Sequence, residues 1–378
     1  MVPRLMPRRP MRVAILHDHM SFIGGGERLV LTLARGLDAD LYVTDLDPEI
    51  PRKAGFPDVR VTELAKVPRT PLIRQTRQAK AFHHAEIPAH DAYVFSGNWA
   101  IAAAETHTPN LWYCHTPARV FYDLETTFLA GLSPAKRMAA RTWIKRTRPK
   151  YEADVADVQR IVVNSRNVAG RVERYLHRSA EVVYPPVDVA RYRFSKIGDA
   201  WLSVNRLSHE KRLGLQVEAF RKLPKERLVV AGGPQVGVDA RAFLRSLDPP
   251  PNVEFLGEVD EARLLGLYAT CRGFVATSQD EDFGLTPVEA MASGKAVVAV
   301  DEGGYRETVV PGRTGWLVSA TPAAIATAVQ EATPERLASM RAACEERAKA
   351  FDAARFVNRM RELIGEAAAG GSARPAKF

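Results

Sequence analysis

The stretch SQDEDFGLTPVEAMASG, residues 278–294, decides how the rest of the chain is read. It follows a short β-rich run, Gly273–Thr277, and opens as a loop dotted with carboxylates. A helix then starts near Thr286-Pro287, since proline is tolerated in a first helical turn. A strand handing over to a helix through such a loop is the repeating unit of a parallel α/β sheet. At that helix start the N–H groups of Phe283, Gly284 and Leu285 lack intrahelical partners and would face an anion. Glu281 lies in the loop and Glu289 on the helix, so the two cannot share one helix face. One carboxylate could meet one end of a ligand and the other its opposite end. By spacing alone, Glu281 reads equally well as a first-turn charge and Glu289 as a surface one.

Outward from this block the same alternation recurs. Toward the N-terminus, Trp201–Asn205, Leu228–Gly232 and Val253–Leu256 are strand-like, as is Ala296–Val300 beyond it. Helical patterns near 211–222, 239–247, 260–270 and 286–293 separate them. The first half shows the same rhythm, with strands expected at Arg12–Leu16, Leu41–Thr44, Val59–Thr62, Ala92–Ser96, Leu111–His115, Ile161–Asn164 and Glu181–Tyr184. Continuous apolar strands between helices imply parallel sheets covered on both faces. The expected fold is therefore α/β, with two doubly wound domains joined at the Pro-rich segment 185–199. Residues 11–185 form the first and 200–350 the second, while 351–378 are a C-terminal helix and tail that could pack back on the first. In such folds ligands sit beyond the carboxyl ends of the strands, and a cleft between two domains is an expected site.

Composition sets the class. A 378-residue chain with 46% hydrophobic residues can bury the cores of two mid-sized domains. Three cysteines, Cys114, Cys271 and Cys344, are odd in number and far apart, which fits a reducing compartment and argues against zinc or redox motifs. The net charge of +9 favours anionic partners without choosing among them. Met1–Pro10 is basic and proline-rich, without an apolar core, and reads as a flexible leader rather than a secretory signal. No stretch reaches the 20 or so apolar residues of a membrane span.

Three further groups of residues carry chemistry. Arg206 and Lys211, in NRLSHEK at 205–211, leave a strand end and could clamp a diphosphate, arginine as a fork and lysine as a point charge. Gly24, Gly25 and Gly26, before Glu27-Arg28, let backbone approach a ligand and leave helix amides free. They do not form a dinucleotide fingerprint, because Leu29 stands where a third glycine belongs. Finally His115, in CHTP at 114–117, ends a strand on the side where ligands bind. DED at 280–282 and DLD at 45–47 superficially resemble metal-binding DxD motifs, but spacing ties no further ligand to either.

Together these residues resemble glycosyltransferase family 4. The resemblance rests on Glu281 and Glu289 with Phe283-Gly284-Leu285 between them, AMASG at 290–294, and Arg206 and Lys211. Asn164-Ser165, Gly232-Gly233, Gly303-Gly304 with Glu307, and GRTGWLV at 312–318 extend it. HTPAR at 115–119 and GGGER at 24–28 are similar to the mannosyltransferase-like branch that builds cell-surface polysaccharides. Lys295 departs from the pattern, standing where proline is common.

The resemblance implies a GT-B fold and a retaining transfer of a hexose, mannose from GDP-mannose above all, from a nucleotide diphosphate to a glycan or lipid-linked acceptor. It implies no cofactor and no obligatory metal. Glu289 would hold the ribose, while Glu281 and the Phe283–Leu285 amides would hold the donor sugar. His115 would touch that sugar, and the Gly24–Gly26 loop would approach the diphosphate and the acceptor. His115, Glu281, Arg206 and Lys211 would carry the reaction. A nucleotide-sugar 2-epimerase of the same fold is the alternative, and dispersed charge without a binding module speaks against a nucleic-acid partner.

The segment 133–150, SPAKRMAARTWIKRTRPK, holds seven basic residues and no acidic one. As a helix it would line up Arg137, Arg141, Lys145 and Arg148, with Met138 and Trp143 at the sides. It is expected to dock on anionic lipid, which would place a cytoplasmic enzyme peripherally on the inner face of the membrane.

Overall fold

The computed structural model describes residues 11–235 and 238–370. The leader Met1–Pro10 and the tail from Gly371 lie outside the described residues. The chain folds as two bodies. The first takes in the chain up to Asn164, then Val168–Val183 and the stretch from Phe356. The second comprises Ser165–Asn167 and Tyr184–Arg355.

The first body is built on β1 (Val13–Met20), β2 (Asp40–Leu46), β3 (Val61–Ala65), β4 (Ala92–Ser96), β5 (Asn110–Cys114), β6 (Arg160–Val163) and β7 (Glu181–Val182). These pair in parallel in the order β3-β2-β1-β4-β5-β6-β7. β3 starts two residues later than its apolar run suggests. β7 stops at Val182, short of the expected Tyr184, just before Pro185-Pro186, which lack the N–H a ladder needs. The helix Ala353–Ala369 gives its apolar stripe, Phe356, Val357, Met360, Leu363 and Ile364, to the core that holds Val13, Ile15 and Val30. Gly36 permits that approach: a Cβ there would sit 2.5 Å from a Val357 methyl.

The second body is built on β8 (Ala200–Val204), β9 (Arg227–Ala231), β10 (Val253–Gly257), β11 (Phe274–Ala276), β12 (Val297–Val300) and β13 (Gly315–Val318), ordered β10-β9-β8-β11-β12-β13. β13 was not among the expected strands. Its opening glycine disguises it, since glycine is depleted in strands. Gly315 pairs so closely with β12 that a Cβ would lie 1.9 Å from the Val297 carbonyl oxygen. Two of the helices that follow, Pro322–Glu331 and Pro334–Lys349, begin alike. Thr321 and Thr333 cap their free amides, and proline occupies the first turn. Lys295, the departure from the family pattern, is buried and donates its ammonium protons to the carbonyls of Lys196 and Cys271. Burial pushes its pKa down to about 8.

Candidate functional site

In the second body, β8 and β11 are neighbours, so the loops leaving their carboxyl ends lie side by side. That adjacency brings Lys211 Nζ to 2.7 Å from Glu281 Oε2, across 70 residues of sequence. Two further bonds join the loops: Gln279 N–H donates to the Glu210 carbonyl at 2.7 Å, and Thr277 Oγ1 donates to the Lys211 carbonyl at 2.9 Å. Arg212 adds a third loop. Its guanidinium donates to the Thr277 and Ser278 carbonyls and forks onto Glu302 at 3.1 and 2.7 Å. Gly303 and Gly304 press against the Glu281 loop from that side. A Cβ on Gly303 would meet the Glu281 carbonyl oxygen at 2.4 Å, and one on Gly304 the Phe283 Cα at 2.3 Å.

Burial alone would push the Glu281 carboxyl up. The ammonium of Lys211 and the charge of Arg206 overcome it and hold the group below the ordinary carboxylate range. Arg206 itself is exposed. The loop runs into the helix Leu285–Ala292 through Gly284, whose φ of +92° suits glycine, and no side chain caps that helix. Phe283 is buried against Tyr184 and Phe351, so it can offer a ligand only its backbone. Glu289, on the helix, is held by the buried Tyr268, whose hydroxyl donates to Oε2 at 2.7 Å. The carboxylate of Glu307 accepts the Arg166 and Asn167 amides at 2.8 and 2.9 Å, and Asn167 Nδ2 donates to the Glu281 carbonyl at 3.0 Å.

In the first body, His115 follows β5, and Ser96 ends the neighbouring β4. Ser96 Oγ lies 2.9 Å from His115 Nε2 and 3.1 Å from Nδ1 of His17 on β1. Glu27, in the first turn of the helix Gly25–Leu37, sets Oε1 3.8 Å from His17 Nε2 and 3.7 Å from His19 Nδ1. Burial, reinforced by His17, pushes His115 down to about 4. The triglycine acquires a local reason. A Cβ on Gly24 would sit 2.7 Å from Glu27 Oε2, and one on Gly26 would touch the His115 ring at 3.7 Å. Gly25 opens the helix.

Two family models match the chain in tandem: Glycosyltransferase Family 4 over residues 23–191 and Glycosyl transferases group 1 over 194–351. The chain belongs to glycosyltransferase family 4. The glycosyltransferase is 26% identical to the alpha-1,3/1,6-mannosyltransferase ALG2 of Dictyostelium discoideum, over 83% of this chain and 87% of that one. It spans about half (53%) of the length of the protein of that name from Neurospora crassa, at 29% identity over 56% of this chain. It is 48% identical to the lipopolysaccharide core biosynthesis mannosyltransferase LpcC of Rhizobium leguminosarum bv. viciae over 31% of this chain and 35% of that one. The sucrose-phosphate synthase of Thermosynechococcus elongatus shares the fold, with a TM-score of 0.74 at 19% identity, covering 96% of this chain and 100% of that one. The fold of this glycosyltransferase is GT-B.

Sequence reasoning picked out Lys211 and Glu281 but not their ion pair, and it missed Arg212, Glu302, His17 and Ser96. Nothing in spacing marks these last residues, because strand pairing brings them together: His17 stands opposite Ser96 in the ladder. The two DxD look-alikes are occupied locally. Asp45 pairs with Arg74 at 3.4 Å, Asp47 accepts the Glu49 amide, and Asp280 accepts from Asn167 Nδ2. Among the described residues no three His, Cys, Asp or Glu side chains are grouped to hold a metal.

The basic segment is a helix, Pro134–Ala156, running through Pro149. Its expected charged row is partly used inside the first body. Arg137 donates to the carbonyls of Leu129 and Leu132, and Arg148 pairs with Glu152 at 2.8 Å while lying over Tyr122. Trp143 corrects the expectation most clearly. It packs on Phe121 and Trp99 and donates to Thr76 Oγ1, so it is not at hand for a lipid surface. Lys136, Met138, Arg141, Lys145, Arg146 and Lys150 remain exposed. Among the described residues no helix is long and apolar enough to cross a membrane.

Proposed function

We propose that this glycosyltransferase transfers mannose from GDP-mannose, with retention at the anomeric carbon and no obligatory metal, to a glycan or lipid-linked acceptor. The observation that carries the reading is the Lys211–Glu281 pair beside the uncapped helix start of Leu285. As the glycosidic bond breaks, a nucleoside diphosphate gains negative charge. A lysine has three donors, so the bond to Glu281 orients Lys211 and leaves protons for phosphate oxygens. With Arg206 and the Phe283–Leu285 amides, it supplies the preorganised positive field that a divalent ion supplies elsewhere. Glu289 is the ribose acceptor in this reading, and His115 meets a sugar hydroxyl. The mannosyltransferase names of the sequence relatives support mannose as the sugar. They give no support to the epimerase reading, since an epimerase has no acceptor.

A thermal-shift panel of GDP, UDP and ADP, each free and as its sugar conjugate, tests the donor. Ligand at 100 times its Kd adds about 2.7 kcal/mol of stability, so GDP and GDP-mannose should raise Tm most. No rise with any nucleotide diphosphate would overturn the reading. Activity that vanishes with EDTA and returns with manganese would overturn the metal-independent part.

The peripheral placement on the inner face of the membrane belongs to the same proposal, and the exposed cations of the 134–156 helix support it. At roughly 1 kcal/mol per basic residue near an anionic surface, five hold the protein reversibly. Co-sedimentation with anionic vesicles that fades at high salt, and after reversal of Arg141, Lys145 and Arg146, is the expected result. Equal binding to neutral vesicles would refute it.

A further inference from the structure

The mechanism above uses His115 and leaves unexplained why a buried carboxylate, a second histidine and a serine stand behind it. Three adjacent strands deliver these groups in one row: His17 from β1, Ser96 from β4 and His115 just after β5. The Ser96 hydroxyl touches a ring nitrogen of both histidines. A hydroxyl has one proton and two lone pairs, so it can donate to only one of the two rings and must accept from the other if it does. Two rings on one serine therefore cannot both present a lone pair to it.

What breaks the tie is Glu27. His17 Nε2 is buried without a hydrogen bond and faces Glu27 Oε1 at 3.8 Å. Glu27 is 5% exposed, and a carboxylate so placed favours a proton on the nitrogen that faces it. With the proton on Nε2, His17 Nδ1 is a lone pair and accepts from Ser96. The serine oxygen must then accept from His115 Nε2–H, which leaves His115 Nδ1 as the lone-pair nitrogen. We propose that Glu27, His17 and Ser96 are positioning residues that fix His115 in its Nε2-protonated tautomer, so that its Nδ1 accepts a hydrogen bond from a hydroxyl of the bound sugar.

The device also explains the triglycine, because Gly24 leaves room for the Glu27 carboxylate to fold back over the helix start. Glu27 faces His19 as well, at 3.7 Å, so that ring shares its charge. The tautomer assignment is a property of the first body alone. The use of Nδ1 rests on the sugar-transfer reading above.

The experiment uses the full chain without ligand, labelled with 15N in its histidine rings. Long-range proton–nitrogen spectra at pH 7.5 report the tautomer of each ring, and His115→Gln assigns the signal. The wild type should show His115 protonated on Nε2. Ser96→Ala and Glu27→Gln should shift it to a mixture, while Ser96→Thr keeps the hydroxyl and the wild-type pattern. In transfer assays the first two should lower kcat roughly tenfold or more, with donor KM changed far less, as expected when an imidazole is held in the wrong tautomer. His115 protonated on Nδ1 in the wild type, or a tautomer indifferent to Ser96→Ala, overturns the proposal. Correct spectra in a protein that transfers no sugar would instead overturn the functional reading and leave the relay standing.

Discussion

The two bodies build their sites from opposite materials. In the second, charged side chains meet across loops, and a part-buried carboxylate stays ionised because Lys211 and Arg206 outweigh its desolvation. In the first, the groups at the strand ends are imidazoles and a hydroxyl, and burial holds His115 neutral with the Glu27 carboxylate behind His17. The difference teaches what each can do. A field of fixed positive charge stabilises a leaving phosphate, whereas neutral histidines select and orient hydroxyl groups without competing for that charge.

The contrast can be broken or sharpened by measurement, and the largest effect belongs to the charged site. Lys211→Ala should lower kcat/KM by about 10²–10³, the cost of removing one preorganised donor to a developing anion. It also strands Glu281, whose carboxyl should titrate upward once its main partner is gone. An effect below fivefold would mean that the pair is only structural.

Acid should distinguish the bodies next. His115 titrates at about 4 in the folded protein, against 6.5 for an unperturbed histidine. The unfolded state therefore takes up the proton first, and stability falls as pH drops from 6.5 toward 4, by up to about 3 kcal/mol. His19 and His107 are lowered too and act in the same direction. Glu27 and Glu281 are lowered carboxylates, so their stabilisation is lost only below about 4.5, their ordinary value. Urea melts between pH 6.5 and 4.5 should show a shallower slope for His115→Asn than for the wild type. Parallel slopes would mean that the ring is not held neutral.

Smaller effects follow within the second body. Arg206→Ala should lower kcat about tenfold and donor affinity less, since an exposed cation is more screened than Lys211. Glu289→Ala should weaken binding of free GDP about tenfold, because ribose contact precedes chemistry. Tyr268→Phe removes only the hydrogen bond that aims Glu289. At about 1 kcal/mol, it should cost roughly fivefold in the same calorimetric titration. A larger loss for Tyr268→Phe than for Glu289→Ala would place the ribose elsewhere.

These regions also differ in how much the chain betrays them. The charged site was legible because its residues are contiguous: Glu281 to Glu289 is one loop and one helix, and Arg206 and Lys211 share one loop. Helix starts advertise themselves through proline, glycine and carboxylates. The histidine row had no such mark, because His17, Ser96 and His115 are 79 and 19 residues apart in sequence. Trp143 shows the limit from another side. Its place among cations suggested a lipid surface, yet Phe121 and Trp99 claim its ring.

Alternating apolar runs, turn residues and one local block of charged and glycine residues were enough to determine two parallel α/β sheets and to single out the loop and helix of one of them as a candidate site. These are short-range facts, fixed by backbone sterics and by which faces must leave water. Sheet order and register decided the rest: which loops leave neighbouring strands, and hence that Lys211 meets Glu281 and that one serine serves two histidines. Such pairings depend on chain segments far apart in sequence, and no local preference encodes them. Only the packed sheet brings those atoms within a hydrogen bond of each other.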